Sequence, residues 1–407
     1  MRIALVSLHT SPGSVPGRGD AGGMNVVVSE AAHALSDRGH EVVVVTRATT
    51  ELSPGECTLD ASRSQTRLVV IRAGDPALGK RDLIRVLPEA AGEITELGPF
   101  DAVHAHYWLS GIAAGPAATA SGVLSAITFH TVAAQKNERL APGDTPEPPL
   151  RIAAERALAR SSYVIAGSQS ELDSIERSAG EPAFGSEVIH PGVDTVLFRP
   201  LGRAPGADVS RETEAPMRVL VLGRLQPLKG QDLAIAAFAA MGDADPELAA
   251  RVELVIAGEP SPGQESWAAG LLRLAERLGV SDRVRFLPAQ DREASARLLA
   301  GSAVALVPSH SETFGLVAAE AAACGVPVLV GAHTGLLEAA PHEVAGLQVP
   351  GRDPAAWGSA LARLLGDPAL RAKLGVSARK HALSLDWRAH AERLERRYQA
   401  LRALTAR

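Results

Sequence analysis

A chain of 407 residues, 46 % hydrophobic and 21 % charged, has the balance of a globular protein and is too long for one core, so two domains of similar size are expected. Its net charge of -5 excludes a nucleic acid or an anionic membrane surface as the main partner, and an anionic ligand must be met by a local cluster of cations. Cys57 and Cys324 fit no metal or disulfide pattern, no run reaches the ~18 apolar residues of a membrane span, and Ile3 to Leu8 lacks the flanks of a signal peptide; together these imply a cytoplasmic address.

Arg2 to Ser7 opens the chain as a short apolar run that reads as a buried strand, followed by a loop rich in glycine and proline. After Gly22-Gly23 the apolar spacing from Met24 to Leu35 is helical, and Glu41 to Val45 is again a buried strand. Strand, helix, strand begins a parallel sheet, and the pattern recurs at Ala102 to Ala105, Ala126 to Phe129 and Tyr163 to Ala166. Pro200, Gly202, Pro205, Gly206 and Pro216 then mark residues 199–216 as a linker between a first domain, 1–198, and a second, 217–385. The second α/β series has strands at Arg218 to Leu222, Glu253 to Ala257, Arg283 to Leu287, Val304 to Val307 and Val326 to Val330. Residues 386–407, rich in Arg, Ala, Leu and Glu, form a helix whose docking side the periodicity leaves open. The fold class is therefore α/β with two doubly wound domains, and ligands are expected in the cleft at the carboxyl ends of their strands.

Three segments carry chemistry. Ser309 to Ala321 runs from a buried strand into a helix, with Glu312 in the loop and Glu320 about two turns into the helix. Glu312 can accept from sugar hydroxyls and Glu320 from a ribose, while the N–H groups around Phe314, Gly315, Leu316 and Val317 suit a diphosphate. A capping carboxylate followed by a surface glutamate is the plainer alternative. The loop Gly223 to Gly230 supplies Arg224 and Lys229, placed to neutralise a diphosphate leaving group; solvated cations on a turn are the alternative. Gly17 to Asn25 brings glycines to a helix start but lacks the Gly-x-Gly-x-x-Gly spacing of a dinucleotide site.

Together these motifs resemble the retaining glycosyltransferases of family 4, which have the GT-B fold of two facing Rossmann-like domains, and the resemblance spans essentially the whole chain. Within that family the N-terminal half is similar to the mycothiol-pathway enzymes that join N-acetylglucosamine from UDP-N-acetylglucosamine to 1D-myo-inositol 3-phosphate. The matching residues are His9 to Pro12, Gly19 to Asn25, His106 to Gly111, His130-Thr131 with Lys136-Asn137, and Asp144 to Glu147. The resemblance implies that Gly23, Arg224, Lys229, Glu312 and Glu320 hold the nucleotide sugar. It implies that His9, Asn25, Lys80, Tyr107, Thr131 and Arg151 hold the cyclitol phosphate, and that His130 stands beside the reacting sugar. A core role for His130 and a solvated one for Lys80 are the plainer readings.

The chain departs from the family where Thr334-Gly335 replaces a glycine pair after the Val-Pro-Val strand, so the backbone path beside the donor sugar is expected to differ. Leu299 and Ala300 replace a tyrosine-containing stretch, which weakens uracil recognition and a structural magnesium ion there. The family implies retention by front-face displacement, with no cofactor or metal required for chemistry. The expected partners are the nucleotide sugar and a small acceptor, with a homodimer left open. A different acceptor (an aminocyclitol or thiol), a different donor, and a non-catalytic sugar-nucleotide sensor are the competing readings.

Overall fold

The computed structural model describes residues 1–405 except 15, 16, 18, 20, 61, 64, 65 and 202–215. Most of the expected linker, with Gly202, Pro205 and Gly206, lies outside the described residues, as do Arg18 and Asp20 of the glycine loop.

The first half holds an eight-stranded sheet made of β1 (Arg2–Val6), β2 (Glu41–Arg47), β3 (Gly55–Thr58), β4 (Arg67–Ile71), β5 (Ala102–His106), β6 (Ala126–Thr128), β7 (Tyr163–Ala166) and β8 (Ser186–Val188). Its order is β3-β4-β2-β1-β5-β6-β7-β8, parallel throughout except for the β3–β4 pair. The second half is a six-stranded parallel sheet of β9 (Met217–Leu222), β10 (Val252–Ala257), β11 (Val284–Leu287), β12 (Val304–Val307), β13 (Val328–Gly331) and β14 (Gly346–Val349) in the order β11-β10-β9-β12-β13-β14. The continuous apolar runs form these strands because helices cover both faces of each sheet, so every side chain of β5 and of β12 is buried. Four strands were not expected from the sequence: β3, β4, β8 and β14. The expected strand Val326 to Val330 is displaced toward its carboxyl end, at Val328–Gly331.

Both sheets reverse their winding beside the first strand. In the first, β1 pairs with β2 on one side and β5 on the other; in the second, β9 pairs with β10 and β12. Loops leaving adjacent strands at such a switch point diverge to opposite faces and open a crevice. The loops after β1, β5 and β6 thereby face those after β9 and β12.

The last helix, Trp387–Thr405, returns to the first half. Its apolar positions Ala391, Leu394, Tyr398 and Leu401, spaced three and four apart, are buried against Ile3, Leu5 and Ile165. Arg393 and Arg397 grip Glu187 at 2.9 and 2.7 Å. Among the described residues no helix is long and apolar enough to cross a membrane.

Candidate active site

A cleft of about 360 Å³ runs between the two halves, lined by the loops at the carboxyl ends of both sheets. The halves touch across it. Ser168 Oγ donates to the Thr313 carbonyl at 2.6 Å, the Thr313 hydroxyl donates to the His130 carbonyl, and Arg224 Nη1 donates to the Gly19 carbonyl at 3.2 Å.

On the wall of the second half, Lys229 Nζ lies 2.6 Å from Glu312 Oε1, which also accepts from Ser309 Oγ at 2.7 Å. The expectation gave these two residues separate tasks, a diphosphate for Lys229 and a sugar for Glu312. In the structure each is the other's partner, because the loops after β9 and β12 are neighbours at the switch point. Lys229 keeps two further ammonium protons for a ligand and Glu312 a second carboxylate oxygen.

Phe314 is buried and stacks at 5.5 Å on the His190 ring. Gly315, in the left-handed region at φ 108°, turns the chain into helix Leu316–Ala323, whose first N–H groups, on Leu316 and Val317, find no partner within the helix. Gly23 packs opposite, where an added Cβ would come within 3.4 Å of Leu316. Glu320 is buried on the same helix, and burial pushes its carboxyl up to about 7 even with the Arg292 guanidinium 3.8 Å away. Arg292 also lies 3.5 Å from Glu30 of the first half, so it ties Glu320 across the cleft. No local signal distinguished Arg292 in the sequence.

The expectation about the backbone path falls on Thr334. It adopts φ 52°, the left-handed conformation glycine takes freely, and its hydroxyl accepts the Glu312 N–H at 3.2 Å. The hydroxyl thus steadies Glu312 in compensation for the strained backbone.

On the opposite wall, Tyr107 follows β5 at φ 77°, an unusual conformation for a bulky side chain. Its ring lies 4.2 Å from that of His9, with Lys80 Nζ 4.6 Å and the Arg151 guanidinium 4.8 Å from its centre. Burial, then the charges of Lys80, His130, Arg151 and Arg224, holds His9 well below the ordinary histidine range, and it is neutral. Asn25 is buried: it donates to Thr10 Oγ1 (2.9 Å) and the Ser11 carbonyl (2.6 Å) and accepts from the Gly22 N–H (3.0 Å). Both its donors therefore hold the glycine loop, which leaves one carbonyl lone pair for a ligand.

Arg151 is expected at the acceptor's phosphate. It is 3 % exposed, ion-paired with Glu147 at 3.0 Å and Glu155 at 2.7 Å, and sits behind the cleft lining. Its Nη2 donates to the carbonyl (2.6 Å) and hydroxyl (2.8 Å) oxygens of Thr131, so the Thr131 hydroxyl keeps its proton to donate outward. Lys136, a lining residue with no role assigned from sequence, shares Glu147 at 2.7 Å. Among the described residues no carboxylate lies within ion-pair range of Lys80. Between the two walls stands His130, at φ 59°, its Nε2 2.8 Å from His106 Nδ1. Burial, helped by His390, pulls His130 down to about 3, so it is uncharged and too weak a base to take a proton at neutral pH.

Two Rossmann-like halves facing across one cleft are the GT-B architecture of glycosyltransferases. The family described as "Family 4 Glycosyltransferase in conflict systems" matches residues 17–394. A D-inositol 3-phosphate glycosyltransferase of Salinispora arenicola is 39 % identical over 401 residues, covering 95 % of this chain and 89 % of that one. Its namesake from Streptomyces coelicolor is 38 % identical over 410 residues, covering 95 % and 88 %. Sucrose-phosphate synthase from Thermosynechococcus elongatus superposes with a TM-score of 0.86 at 29 % identity, covering 99 % of both chains. HepE of Anabaena, solved with UDP and glucose, superposes at 0.78 over 98 % of this chain and 100 % of its own; at 20 % identity it shows the fold alone. The chain belongs to glycosyltransferase family 4.

Proposed function

We propose that this glycosyltransferase moves N-acetylglucosamine from UDP-N-acetylglucosamine to 1D-myo-inositol 3-phosphate in the cytoplasm, with retention at the anomeric carbon and no metal required for chemistry. The observation that carries the reading is a pair of separate clusters of cations and hydrogen-bond donors facing one another across a single cleft. Arg224, Lys229 and the start of helix Leu316–Ala323 suit the diphosphate, and Glu320 is an acceptor for the ribose. Lys80, Tyr107 and Thr131 suit the acceptor's phosphate. The relatives' shared name, at 38 to 39 % identity, supports the choice of acceptor.

In the reaction the bond from the anomeric carbon to the diphosphate oxygen breaks and a bond to an acceptor hydroxyl oxygen forms on the same face. The hydroxyl proton passes to the departing phosphate oxygen. Arg224 and Lys229 stabilise the charge that builds on the diphosphate, the role preorganised cations fill best in a site that excludes water. Glu312 is held by Lys229 and Ser309 to orient the sugar, and His130 contributes a hydrogen bond rather than base catalysis.

A second reading keeps the phosphate cluster and changes the ring, the acceptor being a hexose phosphate; the likeness to sucrose-phosphate synthase favours it. Proton NMR of a reaction with both acceptors separates the two. An α-linked product on inositol 3-phosphate is expected, a β-linked product would overturn retention, and transfer to the hexose phosphate alone would establish the second reading.

A further inference from the structure

His104 and His106 lie two residues apart on β5 and so share one face of the sheet. Their rings are 4.2 Å apart. The Thr128 hydroxyl donates to the Ile165 carbonyl at 2.8 Å, so its oxygen accepts from His104 Nε2 at 2.9 Å, and His104 Nδ1 accepts from the Tyr398 hydroxyl at 2.7 Å. His104 is thereby fixed in one tautomer by the last helix, and its ring packs on that of His106.

His106 Nδ1 meets His130 Nε2, and one proton occupies that contact. Among the described residues His106 Nε2 is buried with no hydrogen-bond partner. If His130 donated, His106 would carry its own proton on Nε2, as a buried N–H with nothing to accept it. If His106 donates, Nε2 is a bare lone pair. Orphaned buried N–H groups are the rarer of the two, so the arrangement favours donation from His106. The neutral His130 ring then carries its proton on Nδ1, and that ring lines the cleft.

We propose that His106, which the family resemblance gave no role, is a positioning residue for sugar transfer: its Nδ1–H bond fixes His130 as an Nδ1–H donor toward a hydroxyl oxygen of the bound sugar. The inference rests on the transferase reading above. Burial keeps both rings neutral, His130 at about 3 and His106 well below the ordinary range, so this donor persists through neutral pH.

The test has one arm that needs no turnover. Nitrogen NMR of the ¹⁵N-histidine-labelled full chain with UDP bound, assigned through His130→Asn, should show His130 Nε2 as unprotonated and Nδ1 as protonated. His106→Phe should abolish that preference, and His106→Asn, whose amide nitrogen can stand where Nδ1 stood, should restore it. In kinetics His106→Phe should lower kcat about tenfold with less than about a twofold change in donor KM. His106→Asn should recover most of the loss, and His106→Phe should add nothing in a His130→Asn background. A proton on Nε2 of His130 in the parent overturns the proposal, as does a His106→Phe loss that is undiminished without His130. Failure of every sugar donor to react would overturn the transferase reading and leave the tautomer result standing on its own. Should His106→Phe not fold, the parent spectrum and His106→Asn decide.

Discussion

Among the described residues, Lys80 is the cation on the first half's wall of the cleft whose charge no carboxylate offsets, since Arg151 is paired with Glu147 and Glu155, and Lys136 with Glu147. Lys80→Met keeps the length of the side chain and removes the ammonium that lies over the Tyr107 ring. A hydrogen bond to a charged group contributes about 1.5 to 3 kcal/mol, and the exposure of Lys80 places it at the lower end, about tenfold in kcat/KM. The assay is UDP release at saturating donor with inositol 3-phosphate and with free inositol. Lys80→Met should lose about tenfold on the phosphate and little on free inositol. Added salt should weaken the parent's preference for the phosphate more than the variant's. Arg151→Ala should behave differently: it leaves the buried Glu155 without its cation, while Glu147 keeps Lys136, and should lower stability by about 3 to 5 kcal/mol, seen as a falling Tm. An equal loss on both acceptors in Lys80→Met, or a selective loss of phosphate preference in Arg151→Ala with Tm intact, would refute the reasoning.

Lys229→Ala should lower transfer by about one to three orders of magnitude with the circular dichroism spectrum unchanged; a parent-like rate would remove Lys229 from leaving-group stabilisation. Because burial lifts Glu320 to about 7, its ionised fraction grows as pH rises through neutrality, and UDP affinity should strengthen from pH 6 to 8 by more in the parent than in Glu320→Gln. Calorimetry showing parallel pH profiles would show that Glu320 does not act as a charged acceptor. Glu338 of the second half accepts from the Gln169 N–H at 2.9 Å and from His190 Nε2 at 2.7 Å. Burial raises its carboxyl, but these bonds and the His190 charge outweigh that and hold it below the usual range. Its stabilising contribution is therefore complete above the ordinary glutamate value near 4.5 and is lost as pH falls through the depressed one. Glu338→Gln should flatten the fall of Tm with acid; an unchanged acid limb would show that these bonds of Glu338 do not set it.

The two-sheet architecture was legible because a strand buried on both faces writes itself as a continuous apolar run, as at Glu41–Arg47 and Val304–Val307. Three of the four strands that escaped notice lack that mark or sit in poor contexts. Ser186–Val188 is three half-buried residues at a sheet edge, Gly55–Thr58 is largely exposed, and Gly346–Val349 begins on a glycine. Arg67–Ile71 carried the apolar run and was readable.

For the site, the motifs placed Arg224, Lys229, Glu312 and Tyr107 on the cleft because each follows a strand's carboxyl end. What sequence order could not show was pairing between distant loops: Lys229 with Glu312, Arg292 with Glu30, Glu338 with His190, or Tyr398 with His104 across 294 positions. Arg151 did carry a readable warning. Glutamates stand four residues before and after it, the helical spacing for ion pairs, and they are the partners that draw it behind the cleft.

The central claim is that one cleft joins a nucleotide-activated sugar to a phosphorylated ring. Mass spectrometry of end-point reactions tests it most directly, with UDP-N-acetylglucosamine and UDP-glucose each set against inositol 3-phosphate, free inositol, a hexose phosphate and an aminocyclitol. The account predicts that the dominant product is inositol phosphate bearing N-acetylglucosamine, formed with equimolar UDP, and that free inositol gives at least about tenfold less. Equal yields from phosphorylated and free inositol, or nucleotide sugar that is left untouched beside every acceptor, would contradict it.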